Sequence, residues 1–205
     1  VSASHAYLNR NKRCIALDLK QAEAVAMVKQ LVAEYDIVLE QFRPGVMDKL
    51  GVGYEALKAI NPRLIYVSIT GYGQSGPYKD RAGHDINYIA ITGALAAVGK
   101  PGATATPPQN LVGDFGGGSM YCAFGIMAAL YERERSGKGQ VVDAAIVDGA
   151  TSLMSFFFGV RHVPHLSTER GKGMLGGAAH FYRCFRCADG KEISLGSIEP
   201  QFYAE

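Results

Sequence analysis

Asp36-Ile37-Val38-Leu39-Glu40-Gln41-Phe42 and Leu64-Ile65-Tyr66-Val67-Ser68-Ile69 both read as β-strands, and the residues between them read as helix. Arg43-Pro44-Gly45 ends the first run, because proline fixes φ and supplies no backbone donor. Short helices then fit Val46 to Leu50 and Tyr54 to Ile60. The second run is rich in β-branched and aromatic side chains, which is the composition of a buried strand. Strand, helical crossover and strand make a βαβ unit, and such units imply a parallel sheet.

The same alternation extends outward. Arg13-Cys14-Ile15-Ala16-Leu17-Asp18-Leu19 reads as another strand, followed by a helix over Gln21 to Glu34 with Ala24, Met27, Val28, Leu31 and Val32 at helical spacing. Downstream, one helical stretch starts near Asp85, and another runs from about Gly117 to Arg135 and closes at Ser136-Gly137. Gln140 to Val147 is a strand, and a helix covers roughly Asp148 to Phe158. The expected fold is therefore α/β, a doubly wound, mostly parallel, Rossmann-like sheet. Gly159 to Ala179 is glycine-rich and basic and reads as a linker. Phe181 to Cys187 and Glu192 to Gly196 flank Ala188-Asp189-Gly190-Lys191, and Asp-Gly between two strand-like runs signals a hairpin. This change of pattern divides the chain into a large α/β domain with its linker, residues 1–179, and the start of a smaller α+β domain, residues 180–205.

A hydrophobic share of 48% and a charged share of 20% over 205 residues place the chain among ordinary globular proteins. A net charge of +2 offers no basic field of the kind that nucleic-acid binding requires. No apolar run approaches a membrane span. Cys14, Cys122, Cys184 and Cys187 are too scattered for a disulfide framework and fit a reducing compartment. The chain begins at Val1 and stops at Glu205 within a helical pattern, so it reads as a piece of a longer one, and targeting signals at the true termini fall outside it.

Three motifs have competing readings. Gly71-Tyr72-Gly73-Gln74-Ser75-Gly76 fits G-x-G-x-x-G after a strand, but a dinucleotide site needs a helix to begin there, and Gly76-Pro77-Tyr78-Lys79-Asp80 continues as loop. Cys184-Phe185-Arg186-Cys187 lacks a second ligand pair, so no metal is assigned. Gly116-Gly117-Gly118 at a helix start is costly, at about 1 kcal/mol per glycine relative to alanine. Either a close backbone approach (by a ligand arm, a partner chain or a packed helix) requires it, or a flexible loop simply runs into the helix.

His84, Asp114 and Glu199 each stand at the mouth of a predicted helix, in Gly83-His84-Asp85-Ile86-Asn87-Tyr88, Gly113-Asp114-Phe115-Gly116 and Ser197-Ile198-Glu199-Pro200. An imidazole and two carboxylates delivered from rigid elements suit acid–base chemistry on a carbon acid. Each residue also has an ordinary explanation. Asp114 fits a helix N-cap, Glu199 precedes a proline suited to the first helical position, and a histidine is commonly structural. Lys20, Arg43, Lys49, Lys79 and Arg81 include several that follow strand ends, where open α/β sheets bind ligands and where phosphates would find charge.

Leu39-Glu40-Gln41-Phe42-Arg43-Pro44-Gly45, Leu50-Gly51 and Asn61-Pro62-Arg63-Leu64-Ile65-Tyr66 resemble the family III CoA-transferase superfamily. Within it, Arg81-Ala82-Gly83-His84-Asp85-Ile86-Asn87-Tyr88, Gly113 to Gly118 and Gly196-Ser197-Ile198-Glu199-Pro200-Gln201-Phe202-Tyr203 are similar to the α-methylacyl-CoA racemases. The resemblance covers almost the whole chain. It implies that His84 and Asp114 exchange protons and that Glu199 orients His84. It implies a CoA thioester lying along Leu17, Asp18, Leu19 and Lys20, Gln41, Phe42 and Arg43, Lys49, and Gly83 with Asp85, Ile86, Asn87 and Tyr88. Lys49 departs from the arginine of other members, keeping the charge but losing the planar fork.

The resemblance further implies an interlocked homodimer, with one subunit's small domain completing the other's site, and no cofactor beyond the CoA carried by the substrate. The compartment it implies is the cytoplasm in a bacterium, or the peroxisome or mitochondrion in a eukaryote. The reaction implied is inversion of the α-carbon of a 2-methylacyl-CoA by proton removal and return through an enolate, with the Asp85 N–H stabilising the oxyanion. Two alternatives stay open. One is a CoA-transferase using Asp114 as nucleophile, and the other is a catalytically silent CoA-binding subunit.

Overall fold

The computed structural model describes residues 3–204, and its architecture is organised about β2, Ile65–Thr70. β1 (Ile37–Glu40), β2 and β3 (Val141–Ala145) form one parallel sheet in that order, with Ile37 opposite Ile65 and Tyr66 opposite Val141. A strand paired along both edges has no solvent-facing side unless a face is left bare, and here neither face is. Leu64 and Tyr66 pack with Val32, Met47, Val52 and Leu57, whereas Ile65 and Val67 pack with Cys122, Ala129 and Ala144. The period-two alternation of a strand thus feeds two cores, and this explains the apolar run read from the sequence.

One core is covered by α2 (Ala22–Val32), α3 (Val46–Lys49) and α4 (Tyr54–Lys58), the other by α7 (Tyr121–Ser136). Asn61 joins the first layer to the sheet. Its Nδ2 donates to the carbonyls of Val32 and Tyr35, each at 3.1 Å, and its Oδ1 accepts from the Arg63 N–H at 3.0 Å. On the other side the buried Arg133 pairs with Asp36 at 3.0 Å and donates to the Arg63 carbonyl at 3.2 Å. α7 ends at Gly137, whose φ of 73° is the left-handed closure expected of a terminal glycine.

The strand expected over Arg13 to Leu19 is absent: residues 12–18 have no regular structure, and Ile15 is 62% exposed. Alternation makes a segment competent for a ladder, but a strand exists only where a neighbouring edge accepts it, and no ladder reaches this segment among the described residues. A short helix, α1 (Ala3–Leu8), precedes it.

α5 (Asp85–Ile91) begins where the sequence places it, with α6 (Ala94–Ala97) behind it. The next helix starts earlier than expected and in a different form. Leu111–Met120 is a π-helix that runs directly into α7. Its wider turn shows in the Phe115 N–H reaching the Asn110 carbonyl at 3.1 Å, five residues back. Asp114 therefore lies inside the first turn and not at the N-cap, which is Asn110. Asp148 likewise falls within α8 (Ile146–Leu153), because β3 passes into that helix without a loop; Met154 then separates α8 from α9 (Ser155–Gly159).

The three glycines are explained by α8. A Cβ on Gly117 would sit 2.5 Å from the Ala150 nitrogen, and one on Gly149 would sit 1.9 Å from the Gly117 carbonyl oxygen. Two helix backbones touch here, so the tightly packed helix, and not a flexible approach, accounts for the run.

β4 (Tyr182–Arg186) and β5 (Glu192–Gly196) form the expected antiparallel hairpin, and α10 (Pro200–Tyr203) starts with Pro200 at its first position. The basic stretch before the hairpin is tethered: the Arg170 guanidinium donates to the carbonyls of Ala96 (3.0 Å) and Ala103. Among the described residues no helix is long and apolar enough to cross a membrane.

The Gly117–Gly149 contact yields a prediction. Gly149→Ala forces apart two backbones that cannot yield as side chains do, and overpacking of this kind costs about 1–3 kcal/mol. The urea midpoint of the variant should fall accordingly. An unchanged midpoint would mean that the contact is looser than the geometry indicates.

Candidate active site

Behind the carboxyl ends of β1 and β2, a cleft of about 280 Å³ is lined by Gln41, Phe42 and Arg43 from one loop and by Thr70, Gly71 and Tyr72 from the next. Lys79, Arg81, Gly83, His84 and Tyr88 complete it. This is the position where open parallel sheets receive ligands, since the strand ends leave a crevice that the loops must fill. Arg43, Lys79 and Arg81 give its rim three cations, a charge suited to an anionic group.

Each wall has a local cause. Glu40, buried at the end of β1, accepts the Phe42 N–H at 2.7 Å and so bends the chain through Gln41 to Arg43. Tyr88, from α5, donates its hydroxyl to the Gly83 carbonyl at 2.5 Å and meets Tyr72 edge-on, with ring centroids 5.0 Å apart. A Cβ at Gly71 would lie 2.1 Å from the Tyr88 ring, so this glycine clears space for an aromatic side chain. The G-x-G-x-x-G pattern thus serves the cleft wall, and no helix starts after it.

His84 is the N-cap of α5 and is exposed. Its N–H donates to Asn87 Oδ1 at 3.0 Å, and its carbonyl accepts the Asn87 N–H at 2.8 Å, which sets the start of the helix. Asp114 reaches the same region from the π-helix. Its N–H donates to Asp85 Oδ2 at 2.7 Å. Burial, and then the like charge of Asp85, push the Asp114 carboxyl above its ordinary value, while the nearby Asn110 side chain and His84 pull it down. Asp114 is not among the residues that line the cleft; it adjoins the site through Asp85, the residue after His84. Burial also raises Tyr88, with smaller contributions from Tyr72 and Asp114.

The remaining sequence-derived positions lie elsewhere. Leu17, Asp18, Leu19, Lys20 and Lys49 do not line the cleft. Asp18 instead accepts the Lys20 N–H at 3.1 Å, Leu19 packs on the core beneath α2, and Lys49 sits at the exposed end of α3. Glu199 is the exposed N-cap of α10, and among the described residues no hydrogen bond or ion pair joins it to His84. Asp85, Ile86 and Asn87 form the first turn of α5, with Asp85 buried and the other two exposed. Sequence reading passed over Tyr72, hidden in a motif discounted for its failed helix, and Asn110, which stands before an apolar run as cap residues do. A larger groove of about 1210 Å³, between Gly99–Pro101 and the hairpin, contains none of the candidate site residues. Among the described residues no group of three or more His, Cys, Asp and Glu side chains is arranged to hold a metal ion.

The sequence model for CoA-transferase family III matches residues 1–205. The chain belongs to this family. It is 46% identical over 203 residues to a Mus musculus protein named alpha-methylacyl-CoA racemase, covering 99% of this chain and 53% of that protein. It is 47% identical over 196 residues to the Homo sapiens protein of the same name, covering 96% of this chain and 51% of the human one. The chain thus spans about half the length of these relatives. The crystal structure of a CAIB/BAIF family protein from Brucella suis superposes with a TM-score of 0.79 at 36% identity, over 89% of this chain and 48% of that one.

The electrostatics of Asp114 make a stability prediction. A carboxyl that holds its proton more tightly folded than unfolded leaves the fold less stable as pH rises above its unfolded value. Asp114→Asn removes that loss. At neutral pH its thermal midpoint should equal or exceed that of the unsubstituted protein, and the difference should shrink as pH falls toward about 4. A variant less stable at pH 7, with no pH-dependent difference, would contradict the environment described for Asp114.

Proposed function

We propose that the protein this chain belongs to is a racemase that inverts the α-carbon of 2-methylacyl-CoA thioesters. The observation that carries the reading is that the Asp114 N–H bonds the side chain of Asp85, the residue next to His84, so that two candidate acid–base residues from separate elements come together at the start of α5, where His84 lines a cation-rimmed cleft. The identity to two proteins named alpha-methylacyl-CoA racemase supports the substrate class.

In this reading the phosphates of CoA engage Arg43, Lys79 and Arg81, and the thioester lies over the start of α5. Lys49 and Leu17 to Lys20 would meet more distant parts of CoA. The hydrogen on the α-carbon is acidified by the adjacent thioester carbonyl. Asp114 removes it from one face while protonated His84 delivers a proton to the other, and the roles exchange in the reverse direction. Each such group contributes about 10²–10⁴-fold. The charge that develops on the thioester oxygen needs a donor. The Asp85 N–H, in the first turn of α5 where amides have no intrahelical acceptor, is well suited, and one such donor is worth roughly 3–4 kcal/mol. The raised proton affinity of Asp114 moves it toward working pH, where an acid–base group can both take and return a proton.

Glu199 enters as the orienting carboxylate of His84, supplied by a second copy of the chain in an interlocked homodimer. This would account for its exposed position away from His84 within one chain. No cofactor is required, because CoA is part of the substrate.

One experiment separates this reading from CoA transfer by Asp114 acting as a nucleophile and from silent CoA binding. The protein is incubated with a single 2-methylacyl-CoA epimer in D₂O without an acceptor acid. Deuterium at the α-carbon with loss of configuration is the expected result. Movement of CoA only when an acceptor acid is added, or binding with neither reaction, would overturn it. His84→Ala should suppress exchange from one epimer more than from the other.

The cleft makes a separate prediction. Losing a hydrogen bond to a charged group costs roughly 1.5–3 kcal/mol, about tenfold or more in affinity. Arg81→Ala should weaken CoA binding by that factor in calorimetry, whereas Lys191→Ala, at the exposed hairpin turn and outside the cleft lining, should not change it.

A further inference from the structure

The side chain of Asp85 has no part in the chemistry proposed above, which uses only its backbone N–H. Its placement is unusual for a carboxylate. It is 9% exposed, at the first position of α5, directly after His84. Oδ2 accepts the Asp114 N–H at 2.7 Å, and Oδ1 is buried with no hydrogen-bond partner. The chain on the other side is shaped around it. A Cβ at Gly113 would lie 2.4 Å from Asp85 Oδ2 and 2.8 Å from its Cγ, so a side chain at 113 and this carboxylate are mutually exclusive.

Burying a carboxylate with one oxygen unpartnered is unfavourable, and such groups persist where something depends on them. A neutral acceptor, such as the Oδ1 of an asparagine, would satisfy the Asp114 N–H at lower desolvation cost. The charge therefore calls for a role of its own, and the nearby carboxyl of Asp114 supplies one.

We infer that Asp85 is a positioning residue whose buried carboxylate clamps the π-helix to α5 through the Asp114 N–H, and so sets both the place and the electrostatic surroundings of the Asp114 carboxyl beside the start of α5. This rests on the racemase reading for its catalytic consequence, but not for its structural content. The groups facing Asp114 are few. From α5 they are His84, Asp85 and Tyr88, and from the turn that starts the π-helix there is Asn110. α8, packed against the π-helix, carries only the exposed Asp148. The start of α7 brings Tyr121, whose hydroxyl donates to Ser152 Oγ at 2.7 Å, and Cys122, buried with Ile65 and Val67. β2 brings Tyr66, which packs in the opposite core, and β3 carries Asp143, whose Oδ2 is taken by the Gln74 N–H at 2.9 Å. Asp85 is thus the neighbour whose charge pushes Asp114 upward, against the pull of His84 and Asn110.

Asp85→Asn and Asp85→Ala test the clamp. Asn keeps the shape and the acceptor but removes the charge, whereas Ala removes both. In the whole protein labelled with ¹³C at aspartate carboxyls, with the Asp114 signal assigned by its loss in Asp114→Asn, Asp85→Asn should move the Asp114 titration to lower pH. The limb of the pH–rate profile for α-deuterium exchange that depends on ionised Asp114 should move the same way. Asp85→Ala should lower kcat by about 10²-fold with little change in KM, the cost of a misplaced catalytic group.

An unmoved Asp114 titration in Asp85→Asn overturns the proposal, and that variant decides the matter even if Asp85→Ala fails to fold. A shifted titration in a protein that exchanges no α-proton leaves the influence of Asp85 on Asp114 standing and removes the racemase reading. The two failures are therefore distinguishable.

Discussion

Where Gly117 meets Gly149, two helix backbones touch with no side chain between them. This contact decides how the π-helix lies against α8, and hence where Asp114 is delivered. A conventional side chain at either position would push the helices apart by a distance comparable to the tolerance of a catalytic site. The penalty for glycine in a helix is offset by this packing, and the third core, of Ile89, Ala94, Ala150 and Met154, fills in around it. The π-helical turn fits the same purpose. It re-aims one carboxylate without interrupting the long helix behind it.

The sheet imposes the second constraint. Because β2 is paired on both edges and covered on both faces, its only free end is the one where the chain leaves. The loops after β1 and β2 must therefore share one crevice, and Arg43, Lys79, Arg81 and His84 meet there although they are distributed over residues 43–84. Burial in two cores fixes the strand, and the strand fixes the site.

Asp114 sits between opposing influences. Burial and Asp85 favour its protonated form, while Asn110 and His84 favour the ionised one. The net effect is a carboxyl that holds its proton more tightly than a solvated one does, because burial outweighs the neighbours that favour the charge.

Much of this was legible in the sequence, and particular residues show why. The run Leu64 to Ile69 could only be a buried strand, Gly137 could only end a helix, and Asp189-Gly190 called for a hairpin, since each rests on local backbone chemistry. His84 at the mouth of α5 was legible for the same reason. Arg13 to Leu19 was not, because a strand is defined by its neighbour and residue alternation carries no information about one. Nor was the π-helical setting of Asp114, whose acidic residue before a helix resembled a cap. The cause of the glycine run, the ring that needs Gly71 and the carboxylate that needs Gly113 are contacts between segments far apart in the chain. The sequence by itself determined which segments are helix or strand and which side chains could carry chemistry, because propensity, periodicity and turn preference act over a few residues. Only the tertiary structure decided which of those side chains meet, because proximity across the fold is set by how buried surfaces pack.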